Sequence, residues 1–214
     1  MQIKIYNTYL FDFDGTLVDS MPTFAEVMLR ILDEEGIAPP DGVVKIITPL
    51  GYGGTADYFV SLGAGSSREE LLARMNAYAY EEYAYHIPLK AGVKEALLAL
   101  KERGASLNIL TASPHRVLDV TLARLGIREL FDHIWSCDDF ATTKADPEIY
   151  KKAAERLGVL PSEYVFIDDN LGAVRTAHGA GIPTYGIYDA SSAEYEAEIR
   201  ESADAYLKLL SDLL

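Results

Sequence analysis

FDFDGTLVDS, residues 11–20, places two carboxylates, those of Asp12 and Asp14, directly after an apolar run. Like charges about 4 Å apart repel each other by on the order of 4 kcal/mol when the effective dielectric constant is about 20. A chain that folds with these two side chains close together must therefore supply a partner that holds them. The ends of the other predicted strands indicate what that partner is.

The apolar residues before Asp12 are typical of a buried strand, which we predict over residues 3–12. Further strands are predicted at 107–110, 133–135, 164–167 and 183–187. Helical patterns lie between them, over 93–103, 114–125, 147–157 and from the fourth strand to about 178. Strands that alternate with helices of this length predict parallel βαβ units, so the fold class is α/β with a doubly wound parallel sheet.

Residues 19–86 show helical patterns and no convincing strand. A first helix is predicted between an N-cap at Asp19-Ser20 and a stop at Gly36, and further helices at about 55–62 and 67–86. Leu50–Gly54 is predicted to be a flexible break, and 43–47 has no clear assignment. The simplest account is an α/β core domain made of residues 1–18 and 87–214, with a helical domain of residues 19–86 inserted after the first strand. The C-terminal stretch 191–214 predicts two surface helices.

The composition narrows the possible partners. The formal net charge of the 214-residue chain is −14, which argues against nucleic acid and against anionic membranes. No apolar run approaches a membrane span, and the N-terminus lacks the features of a secretory signal. The only cysteine, Cys137, excludes an internal disulfide, so we expect a cytoplasmic protein. A small anionic substrate stays possible if a metal and a few cations offset the charge locally.

Polar residues follow the predicted strands at the points where those strands end. They are Asp12, Asp14 and Thr16 after the first strand, Thr111 and Ser113 on either side of Ala112 after the second, Lys144 beyond the third, and Asp168 and Asp169 after the fourth. Ligands of open parallel sheets bind outside the carboxyl ends of the strands, so we expect these groups to converge. Three or four carboxylates near one point need a cation, and carboxylate oxygens are hard ligands of the kind that suits Mg²⁺.

A phosphate group fits the remaining residues of this set. Lys144 and the Thr111 hydroxyl can hold phosphate oxygens, and Gly15 allows a sharp turn that points backbone amides at the same group. An aspartate beside a metal-bound phosphate can attack phosphorus and form an aspartyl phosphate. A second carboxylate can protonate the leaving oxygen, and the two-residue spacing of Asp12 and Asp14 puts both on one face of an extended chain.

Four segments in this order resemble the motifs of the haloacid dehalogenase (HAD) superfamily of phosphotransferases. They are D-F-D-G-T-L-V-D-S at 12–20, T-A-S at 111–113, Lys144 within T-K-A-D-P-E-I-Y, and I-D-D-N at 167–170. The insert resembles the helical (C1-type) cap of the family. In this respect the chain is similar to the phosphoglycolate phosphatase-like and β-phosphoglucomutase-like members. The resemblance implies a Rossmann-like core and a cap that closes over the site and selects the leaving group.

The resemblance also implies a role for each motif residue. Asp12 matches the nucleophile, Asp14 the general acid/base, and Lys144 the lysine that steadies nucleophile and phosphate. The implied phosphate-binding residues are Gly15, Thr111, Ala112 and Lys144, and the implied Mg²⁺ ligands are Asp12, Asp14 through its backbone carbonyl, Asp168 and Asp169. Of the last two, Asp169 matches the main acidic ligand, and Asp168 matches a further or outer-shell carboxylate.

Two positions depart from the common pattern of the family. Ala145 follows the motif lysine where many relatives have proline, and Asp168-Asp169 stands where many have Gly-Asp. Neither change removes a catalytic group. Substrate specificity is assigned to Lys45, His115 and Arg116, although each could instead be an ordinary surface side chain. Likewise, Asp-Gly is turn chemistry and the Asp168 pair could cap a helix, but these readings leave the common order of the motifs unexplained.

We therefore predict a Mg²⁺-dependent phosphatase of a small phosphorylated metabolite, acting as a monomer or weak homodimer. The main alternative is a sugar phosphomutase of the β-phosphoglucomutase type, against which Thr16 weighs mildly. A dehalogenase needs neither Mg²⁺ nor an acid at position 14, and a non-catalytic interaction module would not need the complete set of catalytic side chains. The physiological substrate does not follow from the sequence.

Overall fold

The computed structural model describes residues 3–214, with only the backbone described at residue 49. The chain clusters into two compact units, one made of Met1–Asp19 and Pro88–Leu214 and the other of Ser20–Ile87. The first two residues of the predicted core domain lie outside the described residues. The assignment of the two units to a catalytic core and a cap stays a prediction.

A parallel sheet of six strands forms the centre of the first unit, in the order β3-β2-β1-β4-β5-β6. The strands are β1 (Thr8–Phe11), β2 (Ser106–Thr111), β3 (His133–Ser136), β4 (Tyr164–Asp168), β5 (Thr184–Ile187) and β6 (Ala205–Leu207). The predicted α/β class with a doubly wound parallel sheet is therefore confirmed.

Nine α-helices lie within residues 3–214. They are α1 (Met21–Glu34), α2 (Val43–Ile47), α3 (Gly51–Ser61), α4 (Arg68–Tyr85), α5 (Val93–Glu102), α6 (His115–Leu125), α7 (Glu148–Leu157), α8 (Leu171–Gly179) and α9 (Glu196–Ser202). The first four belong to the second unit and the other five to the first. None of the helices in the described part of the chain combines the length and apolar character that crossing a lipid bilayer requires.

The strand order reverses between β1 and β4, which is where open α/β sheets bind their ligands. Phe11 of β1 pairs with Ile167 of β4. The backbone amide of Asp12 donates to the Ile167 carbonyl at 2.9 Å, so the pairing continues to the last residue before the turn. The sheet thus places Asp12 beside Asp168 at the carboxyl edge.

A buried apolar cluster beneath this edge supports the strand ends. Leu10, Tyr150 and Phe166 belong to it, and the rings of Tyr150 and Phe166 lie 5.0 Å apart. The Tyr164 hydroxyl donates to the Tyr150 carbonyl at 2.9 Å, which satisfies a polar group inside the cluster. The packing on α7 therefore limits how far the end of β4 can move.

Two predictions for the first unit were wrong. The first strand begins at Thr8 and not at residue 3, since pairing with β2 and β4 starts there. The C-terminal stretch contains only one α-helix, α9, together with two 3₁₀ segments and the short strand β6. Three residues carry too little pattern to indicate a strand, and β6 forms because β5 offers it an open edge.

The described residues of the second unit form helices joined by loops, with no strand, and its core contains Met28, Ile31, Phe59 and Met75 among others. The predicted start of the longest helix at Ser67 is confirmed by a reciprocal cap between Ser67 and Glu70. The undetermined stretch 43–47 is the short helix α2.

The predicted flexible break at Leu50–Gly54 was wrong, because α3 begins at Gly51. The ring of Tyr52 stacks on that of Phe24 with centroids 5.8 Å apart, and Thr55, Ala56 and Phe59 are buried. Tertiary packing of this kind outweighs the low helix propensity of the three glycines in this stretch.

Candidate active site

Three buried carboxylates meet at the carboxyl edge of the sheet, those of Asp12, Asp168 and Asp169. One oxygen from each lies within 4.8 Å of the others. Asp12 follows β1, whereas Asp168 ends β4 and Asp169 comes next in the chain. The convergence that the sequence predicts for these three residues is present, and it arises because β1 and β4 are neighbours.

Lys144 lies among these carboxylates. Its ammonium group contacts Asp12 Oδ1 and donates to Asp168 Oδ2 at 2.8 Å, and only 14% of its side chain is exposed. The hydroxyl of Tyr150 donates to the backbone carbonyl of Lys144 at 2.9 Å, which anchors the loop that carries the lysine. Lys144 therefore holds Asp12 and Asp168 in place.

The charges in this cluster do not balance. Burial raises the pKa of Asp12 to about 7, with the Lys144 ammonium lowering it and the carboxylates of Asp168 and Asp14 raising it further. Burial, followed by the carboxylates of Asp168, Asp12 and Asp189, raises the pKa of Asp169 well above its ordinary range, and the Lys144 ammonium opposes this rise. Although burial lowers the pKa of Lys144, the carboxylates of Asp12 and Asp168 hold it well above its usual value. A divalent cation would offset the negative charge that one ammonium leaves.

The donor set fits Mg²⁺, and the two aspartates after β4 are not equivalent in it. Protein donors already reach both oxygens of Asp168, since Lys144 bonds Oδ2 and the amide of Asn170 bonds Oδ1 at 2.7 Å. This arrangement favours Asp169 as the direct ligand and Asp168 as an outer-shell carboxylate. Carboxylate and backbone carbonyl oxygens are the protein ligands that Mg²⁺ accepts.

Gly15 makes room for the Asp169 carboxylate. A Cβ atom at position 15 would lie 2.7 Å from Asp169 Oδ1, closer than real Cβ contacts, and φ of Gly15 is +79°. Only glycine takes this backbone conformation readily and leaves the space open. The glycine of the D-x-D-G pattern is therefore required by the carboxylate cluster as well as by the turn.

Asp14 lies on the same turn and is half-buried. Its Oδ2 accepts a hydrogen bond of 2.6 Å from the hydroxyl of Ser113, in the loop that follows β2. The amide of Ser113 in turn donates to Thr111 Oγ1 at 3.0 Å, and Thr111 is buried. Since the Thr111 oxygen is the acceptor in that bond, its own proton can be directed to a phosphate oxygen.

Lys90 is a residue near the site that sequence reasoning missed. Its ammonium donates to the carbonyl of Gly15, to the carbonyl of Tyr188 at 2.6 Å and to Asp189 Oδ2 at 2.8 Å. These bonds tie the turn after β1 to the segment after β5. No local pattern around Lys90 indicates this role, because its partners lie about 75 to 100 residues away in the chain.

The remaining candidates lie outside the carboxylate cluster. Ala112 is exposed in the loop after β2, and Arg116 is exposed on the first turn of α6. His115 pairs with Asp139, whose Oδ2 lies 2.8 Å from His115 Nε2. Lys45 is exposed on α2 of the second unit. Their roles in phosphate binding or specificity stay predictions.

A family model described as haloacid dehalogenase-like hydrolase matches residues 6–181, which is most of the chain. Validoxylamine A 7'-phosphate phosphatase from Streptomyces hygroscopicus subsp. limoneus is 31% identical over 210 residues, covering 98% of this chain and 96% of that protein. Pyrophosphatase PpaX from Bacillus velezensis is 30% identical over 216 residues, covering 100% of this chain and 97% of that protein.

Among solved structures, the fold is similar to that of a provisionally named β-phosphoglucomutase from Thermotoga maritima. The TM-score is 0.82 at 28% sequence identity, with 97% of this chain and 96% of the other covered. The likeness extends over both compact units, so the inserted helices are part of the shared architecture.

Proposed function

This chain belongs to the haloacid dehalogenase-like hydrolases and is a phosphatase of that family, and we propose from that premise that it hydrolyses a small phosphate monoester with Mg²⁺ as its cofactor. The observation that supports the proposal most is the buried cluster of Asp12, Asp168 and Asp169 with Lys144 in contact with two of them. Cytoplasmic location and a monomeric or weakly dimeric state stay predictions.

Asp12 is the nucleophile in the proposed reaction. Its carboxylate attacks phosphorus in line, an aspartyl phosphate forms, and the electron pair of the broken phosphorus–oxygen bond passes to the leaving group. Asp14 gives a proton to the leaving oxygen and later takes one from the water that hydrolyses the aspartyl phosphate. Lys144 orients Asp12 for the attack, since its ammonium contacts Asp12 Oδ1.

The residues that would hold Mg²⁺ are Asp12, Asp169 and the backbone carbonyl of Asp14. When bound, the cation supplies charge that offsets the carboxylates and a phosphate group together. The Thr111 hydroxyl and the amides of the Gly15 turn and of Ala112 would bind the other phosphate oxygens. Each of these assignments rests on position at the sheet edge and on the motif that the residue matches.

The substrate proposed is a small phosphorylated metabolite. The names of the two relatives give different phosphorylated compounds, so the family match does not identify the leaving group of the substrate. Candidates for recognising it are Lys45, His115 and Arg116. A screen of phosphorylated metabolites, with Mg²⁺ and with chelator, identifies the substrate.

The first prediction tests the nucleophile and the cofactor. Asp12→Asn should lower kcat on p-nitrophenyl phosphate by on the order of 1,000-fold or more, because amide nitrogen and oxygen cannot replace the attacking carboxylate. Asp132→Asn is the matched control, since Asp132 lies just before β3, at the amino-terminal ends of the strands and away from the carboxylate cluster. Circular dichroism should show both variants folded. EDTA should abolish wild-type turnover and Mg²⁺ restore it; retained turnover by Asp12→Asn would refute the proposal.

The phosphomutase alternative keeps the same attack and returns the phosphoryl group to a second hydroxyl. The similar structure from Thermotoga maritima carries that provisional name, which is the observation that favours it. A hexose 1-phosphate with a bisphosphate activator separates the two reactions. Free phosphate as the product supports hydrolysis, and an isomeric sugar phosphate supports the mutase.

A further inference from the structure

Ser113 makes a contact to which neither the motif assignment nor the proposed reaction gives a role. Its hydroxyl donates to Asp14 Oδ2 at 2.6 Å across 99 residues of chain. A distance this short is typical of a charge-assisted hydrogen bond between a hydroxyl and a carboxylate. Ser113 is half-buried, so the bond is only partly exposed to competition from water.

The position of Ser113 is held from both sides. On one side its amide bonds the buried Thr111 hydroxyl at 3.0 Å. On the other side Pro114, whose ring restricts φ, begins α6 as its N-cap residue. The serine therefore projects from a restrained loop.

The ordinary explanation for a serine at this place is a helix cap, and the structure does not support it. The N-cap residue of α6 is Pro114, which makes no side-chain cap hydrogen bond. Instead, the Ser113 hydroxyl donates to the side chain of Asp14, which follows another strand. The contact needs an explanation in terms of Asp14.

We propose that Ser113 is a positioning residue that holds the Asp14 carboxyl in the orientation from which it protonates the leaving oxygen. The inference rests on the proposed function, in which Asp14 is the general acid. Because the serine is the donor, the bond persists whether Asp14 is ionised or carries its proton on Oδ1. In the step itself the Oδ1–H bond breaks, the proton joins the leaving oxygen, and the phosphorus–oxygen electron pair stays with that oxygen.

Loss of this bond has a selective consequence. Without the serine hydroxyl the Asp14 carboxyl loses one of its restraints and spends less time in the productive orientation, and misplacement by about 1 Å can cost on the order of 100-fold in rate. The loss affects only substrates whose leaving group needs a proton. A residue that bound phosphate or merely supported the loop would affect all phosphate monoesters alike.

The experiment compares two aryl phosphates of similar shape. p-Nitrophenolate leaves readily without a proton, whereas phenolate is a stronger base and depends on the acid. Ser113→Ala should lower the ratio of kcat/KM for phenyl phosphate to that for p-nitrophenyl phosphate by about tenfold. Asp14→Asn should lower the same ratio by more, and Ser113→Ala should not lower it further in the Asp14→Asn background.

Ser162→Ala is the matched control, because Ser162 is exposed just before β4, at the amino-terminal ends of the strands. The ratio of the two kcat/KM values in this variant should equal that of the wild type. An unchanged ratio in Ser113→Ala would overturn the inference, as would an equal further loss in the double variant. Failure of the proposed function is a different result, since the wild-type enzyme with Mg²⁺ would then hydrolyse neither aryl phosphate.

Discussion

At the scale of single residues, Gly15 connects the turn after β1 to the buried carboxylate cluster. Its missing side chain leaves space for Asp169, and its carbonyl accepts a bond from Lys90. Two separate requirements therefore act on this position. One is the left-handed backbone conformation, and the other is the close approach of the carboxylate.

Gly15→Ala separates these two requirements when it is compared with Gly104→Ala. Both glycines have φ near +80°, but a Cβ at position 104 would have no heavy atom of the described residues within 4 Å, apart from its own chain neighbours. Both substitutions should cost about 1–2 kcal/mol in the free energy of unfolding through backbone strain. Only Gly15→Ala should also weaken Mg²⁺ binding, by about 10- to 100-fold, because the methyl group displaces Asp169.

Denaturant unfolding measures the first effect and isothermal titration calorimetry with Mg²⁺ the second. Equal Mg²⁺ affinity in the two variants would show that the space beside Gly15 is not needed for the metal site.

At the scale of elements, Glu35 links the end of α1 to α4 and to the loop before it. Its carboxylate accepts bonds from the Ser66 hydroxyl at 2.7 Å and from the Ser66 amide at 3.1 Å, and it contacts the Arg74 guanidinium on α4. The hydrogen bonds from Ser66, with the help of Arg74, lower the pKa of Glu35 to about 2. This network joins the two longest helices of the second unit.

Glu35→Gln should lower the free energy of unfolding by about 1–3 kcal/mol near neutral pH, because it weakens bonds to a charged acceptor. The pKa of Glu35 in the folded chain is lower than in the unfolded chain, so its contribution is complete above about 4.5 and disappears as the pH falls toward 2. The difference between wild type and Glu35→Gln should therefore shrink over that interval.

Urea unfolding at several pH values between 7 and 2.5 measures this difference. Glu81→Gln is the control, since Glu81 is exposed on α4, and it should show no such trend. A Glu35→Gln difference that stays constant down to pH 2.5 would contradict the assigned role.

At the scale of the whole molecule, the chain leaves the first unit after Asp19 and returns at Pro88, and these two points are adjacent. The amide of Asp19 donates to the Pro88 carbonyl at 3.0 Å, and Val18 forms an antiparallel bridge with Leu89. The inserted unit therefore begins and ends at one place on the sheet unit. Insertion between two chain positions that are already adjacent leaves the host fold intact.

A variant in which a linker of about four glycine and serine residues replaces residues 20–87 should fold and keep its Mg²⁺ site. The linker spans the short distance between Asp19 and Pro88 without strain. A cooperative thermal transition and Mg²⁺ binding by calorimetry would confirm this expectation. Loss of the transition would show that the first unit needs the inserted helices for its stability.

Much of the sheet and of the carboxylate cluster could be predicted from local pattern. Apolar runs mark the buried strands, and alternation with helices makes them parallel. In a parallel sheet the carboxyl ends share one edge, so residues that follow different strands, such as Asp12 and Asp168, meet there. The three-residue strand β6 and the helix start at Gly51 could not be predicted, because packing with distant residues outweighs weak local preference.

The sequence by itself determined the α/β class, the insertion after the first strand and the carboxylates that converge at the sheet edge, since each depends on short-range pattern and on the direction of the strands. Only the tertiary structure decided that both oxygens of Asp168 accept hydrogen bonds, from Lys144 and Asn170, that Lys90 holds the Gly15 turn, and that Ser113 donates to Asp14. These contacts depend on side-chain directions and strand order, which bring together residues whose separation in the chain carries no signal.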